Sequence, residues 1–413
     1  MLGPRIGRQI DLVGGRQVLS ASNLTIAAGL VLLGFSSSVS VMALAWLVIG
    51  IGMALGLYDA AFAALGRIYG TEARGSITGI TLMAGFASTV GWPLTAWGLS
   101  HIGWRDTCFA WAAAHILIGL PLNLLMLPKV RGAKEVATAA VKPHIPLDRT
   151  MILLAFVFAA AWTVTGAMAV HFPRILEAAG ATPVEAIAAG ALIGPAQVGA
   201  RVLEASFLSR FHPLWSTRLA CITHPIGAAV IAIFGAAGAS ALALLHGSGN
   251  GILTIARGTL PLAIFGPKNY GYRLGIIGAP ARMAQAIAPL AFGLLIDVMG
   301  SRVLIVSSAL SLAALAALFL IGPVRNGGRR EACRHIHLPF AATFAQKRVM
   351  ADNTDPSGML RRLVRWATTP PQAYGVYLVT LVLVFLLSFY AGTLKPKKAP
   401  EGAGPPPVTA PRS

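Results

Sequence analysis

GPRIGRQIDLVGGRQVL, residues 3–19, is a basic stretch punctuated by glycine that reads as a turn between two membrane helices. Such a turn needs apolar spans on both sides, and the composition provides for them. Of 413 residues, 56% are hydrophobic and 11% charged, with 45 glycines, which argues against a soluble fold. Crossing about 30 Å of hydrocarbon takes about 20 apolar residues as a helix. Helices are required because each backbone amide in lipid needs an internal partner, and barrel strands would alternate in polarity instead of giving continuous runs. Apolar runs lie near 18–36, 42–66, 75–98, 106–127, 150–171, 184–203, 217–237, 241–263, 275–295 and 303–323, ten in all, and an eleventh run, Tyr374–Leu394, stands apart.

The formal charge of +19 could suggest a nucleic-acid partner, but its placement excludes that reading. With the opening stretch on the cytoplasmic side, 18 Lys and Arg residues up to Arg330 fall on that side and only Arg105, Arg174 and Arg302 on the other. This is the positive-inside asymmetry of a multi-pass protein in a bacterial-type inner (plasma) membrane, with the lipid bilayer as its partner. Cys108, Cys221 and Cys333 lie in separate segments without CxxC spacing, so neither a disulfide framework nor a zinc site is expected. No nucleophile–base arrangement or phosphate-cradling loop is found, and His335 and His337 fall in a polar tail. Neither enzyme activity nor a metal or cofactor is expected.

GRQID at Gly7–Asp11 matches ARVLE at Ala200–Glu204 position by position: small, Arg, any, apolar, acid. Each follows a Gly-Pro, at Gly3-Pro4 and Gly194-Pro195. The second copy ends the second helix after a long polar segment, 128–149, that divides the ten runs into four and six. The first copy should likewise end the second helix of its own half, so two helices are expected to be missing in front of it.

These residues resemble the signature between the second and third helices of the major facilitator superfamily: Gly, three residues, Asp, two residues, Gly, one residue, Arg or Lys. Gly7, Asp11, Gly14 and Arg16 stand at those spacings, with Arg8 inside the motif, Leu19 at the usual apolar position, and Leu12 where the family has a base. Arg201 and Glu204 are the echo in the second half. The resemblance implies an all-α bundle made of helices three to twelve of a twelve-helix plan. It divides the chain into a truncated four-helix half (1–127), a cytoplasmic loop (128–149) and a six-helix half (150–323). It also implies secondary active transport of a small solute by alternating access.

In this family the first helix of each three-helix unit lines the cavity, here 42–66, 150–171 and 241–263. Asp59 and Arg257 stand out because an ionisable group inside a span costs several kcal/mol unless paired or solvated. They are expected to form an ion pair that closes the cytoplasmic gate, leaving Arg257 to meet an anionic solute when it opens. Arg282, in a neighbouring helix, is read as a structural pairing. Asn250 could orient a ligand and Trp162 could wall it. Gln197, after Gly194-Pro195, and the Trp92-Pro93 step complete the candidates. The Gly-Pro motif frequent in antiporters of the family is broken by Trp92, so export by antiport with a coupling proton stays open but is not carried over from the resemblance.

The remainder is a polar, basic linker (324–373), the single run 374–394 and a Pro-rich, disordered end (395–413). From Met350 onward it reads as a self-contained single-span protein, and this tail is expected to contact another membrane protein and to be dispensable for transport. The competing function is therefore an inactive transporter remnant joined to a structural or assembly module.

Overall fold

The computed structural model describes residues 2–85, 87–128 and 145–321. The linker 324–373, the run 374–394, the end 395–413 and most of the segment 128–149 lie outside the described residues. Among the described residues all regular structure is helical.

The opening stretch is not a turn throughout. It forms α1 (Gly3–Val13) and α2 (Gly15–Gly34), and the chain turns at Gly14 alone, whose φ of +84° only glycine adopts readily. Pro4 presets the first turn of α1, and Ile6 and Ile10, one turn apart, are buried. The apolar run at 42–66 is likewise two helices, α3 (Val39–Gly56) and α4 (Tyr58–Tyr69), separated by Leu57 in an extended conformation. That break puts Asp59 in the first turn of α4, where the unpaired amides of a helix start favour a carboxylate.

There follow α5 (Ala73–Ala84), α6 (Ala87–His101), α7 (Gly103–Ala114), a π turn at His115–Gly119 and α8 (Leu120–Met126). Residues 86–97 belong to a second unit and are described by themselves: from Ala87 onward they are helical, with Pro93 inside the helix. Beyond the central segment, Asp148 accepts a hydrogen bond from Met151 N (2.8 Å) and starts α9 (Arg149–Ala178). A capping box of Thr182 and Glu185 starts α10 (Pro183–Ala191), and α11 (Ile193–Ser206) follows it. Then come α12 (Pro213–Phe234), α13 (Ala239–Phe265), α14 (Tyr270–Met299) and α15 (Val303–Leu320). Each of the ten apolar runs is thus occupied by helix.

Three of the reversals use one device. Gly70, Gly235 and Gly300 have φ of +57°, +58° and +56°, each opening a single 3₁₀ turn that leads into the next helix. Among the described residues seven continuous stretches are long and apolar enough to cross a membrane, and three of them, of 46, 53 and 51 residues, contain these reversals.

In the first half, α2 packs on α3 and α7. In the second, α9 packs on α14 and α15, and α13 on α11 and α12, around a core that includes Leu154, Phe158, Leu260 and Ile277. Side chains such as Leu117 and Val298 point outward, as a bilayer-facing surface requires. The halves meet where α1 and α4 lie against α14, and where α5 lies against α11 and α13. The contact of α1 with the start of α14 and that of Arg74 with Glu204 lie beside arginine-bearing loops, while α5 follows α11 as far as Thr81.

Candidate functional site

The contact between α1 and α14 is built from glycine on both sides. Gly3 and Gly7 on α1 face Gly275 and Gly271 on α14, two pairs each spaced by one helical turn. A Cβ on Gly7 would sit 1.9 Å from the Gly271 carbonyl oxygen, and one on Gly275 would sit 2.5 Å from Gly3. Backbones approach this closely only where side chains are absent. The approach brings the Asp11 carboxylate over the start of α14, where it accepts from Gly271 N (2.9 Å) and Tyr272 N (2.8 Å). The hydrogen-bond partners of Asp11 are thus main-chain amides at a helix N-terminus. Burial raises the Asp11 carboxyl above the usual carboxylate range, against the lowering effect of the two amides and of Arg67. Arg8 and Arg16 are half-buried on α1 and α2.

The echo in the second half does related work with different chemistry. Glu204, 2% exposed near the end of α11, faces Arg74 in the first turn of α5 at 3.5 Å and accepts from Ser216 Oγ at 3.3 Å. Arg74 also donates to the Phe211 carbonyl (2.9 Å). Arg201, buried, donates to the Thr81 carbonyl across the halves (3.0 Å). One copy of the motif therefore grips backbone amides and the other grips a guanidinium.

Deeper in, Asp59 Oδ2 lies 2.6 Å from Arg257 Nη2 and 3.7 Å from Arg282 Nη2. Arg257 is 4% exposed and its guanidinium lies over the Trp162 ring at 4.7 Å, with Phe158 edge-on to that ring. Beneath this cluster, Tyr270 donates its hydroxyl to the Gly258 carbonyl (2.6 Å), and the phenol fills the space a Gly66 side chain would take. Asp59 and Arg282 are the charged residues lining a cavity of about 680 Å³ between α1, α3, α4 and α14, whose wall is otherwise apolar or glycine. Arg257, which the sequence offered as the solute-binding cation, is buried and committed to Asp59 and Trp162. Arg282, which the sequence read as structural, is 42% exposed at the cavity and also donates to Gln285 (3.0 Å).

The remaining candidates lie elsewhere. Trp162, Gln197 and Asn250 do not line that cavity. Gln197 is half-buried, with its backbone packed against Gly251. Asn250 accepts from Thr165 Oγ1 (3.2 Å) and lines a separate void of about 20 Å³, the space of a single water. The Trp92 side chain lies outside what is described. That void also touches a pair the sequence did not single out: His246 Nδ1 is 3.2 Å from His224 Nδ1, and His224 Nε2 is 2.8 Å from Ser307 Oγ. Ser307 donates to Leu304 O, so its oxygen is left to accept from His224 Nε2–H, and His224 Nδ1 then accepts from His246. Cys108 is half-buried and Cys221 buried, both as free thiols.

A model of the Major Facilitator Superfamily matches residues 1–245. The chain belongs to the Major Facilitator Superfamily. As a member of that superfamily it is a multi-pass membrane protein. It is 34% identical over 152 residues to the mouse solute carrier family 2, facilitated glucose transporter member 10, a match covering 34% of this chain and 26% of that protein. The match thus spans about a quarter of the length of the curated relative. The crystal structure of the human organic anion transporter MFSD10 (TETRAN) superposes with a TM-score of 0.58 at 15% identity, covering 76% of this chain and 80% of that one. At that identity the likeness is one of fold.

Proposed function

We propose that this Major Facilitator Superfamily protein moves a small organic anion across a bacterial-type inner membrane by alternating access, and that its described conformation is the one closed at the arginine-rich, cytoplasmic end. The observation that carries this reading is the Asp59–Arg257–Arg282 cluster at the edge of the 680 Å³ cavity. One carboxylate faces two guanidiniums, leaving a local excess of one positive charge in a setting where lipid and protein screen little. Arg282, the exposed member, supplies the hydrogen-bonding fork for a carboxylate or similar anion. Glycine and apolar side chains leave room for a nonpolar body. When the anion engages Arg282, Asp59 loses one of its two cationic neighbours, which weakens the contact across the halves and couples binding to opening.

Uptake of radiolabelled organic anions into vesicles tests this. Arg282→Gln should raise KM for an anionic solute at least tenfold, the loss of one charge-assisted hydrogen bond at about 1.5–3 kcal/mol. The Asp59→Asn, Arg257→Gln double variant should abolish gating control of transport. Transport unchanged in both variants, or equal uptake of neutral and anionic analogues, refutes the reading.

A further inference from the structure

The second large cavity lies at the arginine-rich end, away from the glycine contact, and has a volume of about 900 Å³. It is formed by Arg74 at the start of α5, the turn Leu208–Arg210, the first turns of α12 and the last turns of α13 and α15. Arg74, Arg210 and Arg218 line it, and its wall contains no Asp or Glu. Neither Arg210 nor Arg218 has a carboxylate partner among the described residues: Arg218 donates to the Leu318 carbonyl (2.9 Å) and its guanidinium lies over the Phe319 ring at 4.3 Å, and Arg210 lies over Phe207 at 5.9 Å. Three guanidiniums gathered around a space of this size, two of them without a carboxylate partner among the described residues, suit a multivalent oxyanion.

The surroundings say which oxyanion. Trp215 (62% exposed), Phe319 (60%), Phe207 (52%) and Phe211 (48%) stand outward at these helix ends. Exposed aromatics at the ends of spanning helices mark the headgroup level of a bilayer, where anionic lipid is the abundant phosphate. We propose that this cavity binds the phosphate headgroup of an anionic phospholipid, with the aromatic rim seating its glycerol and upper acyl chains. Arg74 belongs to the first half and Arg210 and Arg218 to the second, so the bound headgroup bridges them and holds the cytoplasmic end shut. The inference stands independently of which solute is carried.

Native mass spectrometry of the purified full chain, incubated with phosphatidylglycerol or phosphatidylcholine, tests it, with thermal unfolding in the same lipids as a second readout. Phosphatidylglycerol should be retained and should raise the unfolding temperature, and phosphatidylcholine should do neither. Removing one arginine should weaken retention about fivefold, and the Arg210→Gln, Arg218→Gln pair about 25-fold. Arg210→Lys with Arg218→Lys should restore most of it. Should the double variant fail to fold, Arg210→Gln alone, at an exposed position, carries the test. Equal retention of both lipids, retention unchanged in Arg210→Gln, or stabilisation by inorganic phosphate alone as large as that by phosphatidylglycerol overturns the proposal.

Discussion

A single methyl group on Gly7 should open the cytoplasmic end. Its Cβ would fall 1.9 Å from the Gly271 carbonyl oxygen and 2.4 Å from the carbonyl carbon, about 1.5 Å inside ordinary contact near 3.4 Å. Both neighbours are backbone in the first turn of α14, so no rotamer change relieves the overlap, and α1 has to retreat. Retreat by that distance breaks both amide hydrogen bonds to Asp11, each charge-assisted and worth about 1.5–3 kcal/mol. The loss of about 3–6 kcal/mol in hydrogen bonding is an upper bound, because the retreat also frees the Asp11 carboxyl from the burial that raises its pKa, and inverting a 99:1 equilibrium takes about 5.5 kcal/mol. Spin labels at Gln17 and Lys268, exposed positions on the two halves, report the separation by electron–electron distance measurement. Gly7→Ala should move most of the population to longer distances and abolish transport. Gly79→Ala, where a Cβ meets nothing within 4 Å, is the control and should change neither. A Gly7→Ala distance distribution equal to the wild type would refute the reasoning.

Other outcomes follow from the same structure. Because burial raises the Asp11 carboxyl, the closed form is disfavoured above that raised pKa and gains stability as pH falls from it toward the ordinary carboxylate value. The closed fraction should therefore rise on acidification in the wild type more than in Asp11→Asn, and a difference of the opposite sign would contradict the assignment. The Arg174–Asp297 pair joins α9 to α14 with both side chains about half exposed, so Asp297→Asn should shift the unfolding free energy by less than about 1 kcal/mol. Truncation after Arg330 should leave solute uptake intact, measured in the same vesicles, and lost uptake with a folded bundle would show that the tail takes part.

The helices were legible because runs of about twenty apolar residues have few alternatives in lipid. Their interruptions were not: Leu57 breaks α3 from α4 without any change in hydropathy, and only its extended backbone angles reveal it. Asp59 and Arg257 could be read because a charge in an apolar run is conspicuous, and the structure brings them to 2.6 Å. Arg282, read from the sequence as a structural pairing, lies 3.7 Å from Asp59, but its exposure depends on what the opposite half leaves open, which no local pattern records. His224 and His246 were passed over since their pairing joins two helices, and a lone histidine in a run carries no sign of its partner. The Gly3-Gly7 and Gly271-Gly275 spacings were present in the sequence as a helix-contact pattern, but nothing in it says which helix each faces.

The donors that hold Asp11 are main-chain amides. At residue 272 the gene can drift across nearly every amino acid without losing its donor, proline excepted, and at 271 it is confined to glycine by the space available. The grip at this corner is thus under selection chiefly through three codons, those for Gly7, Asp11 and Gly271. At the other corner, Glu204 and Arg74 have to be kept as a matched couple, and losing either strands a charge. Lineages descending from this chain should accordingly vary in step at 74 and 204, while the partner of Asp11 leaves almost no covariation for a comparison of sequences to find.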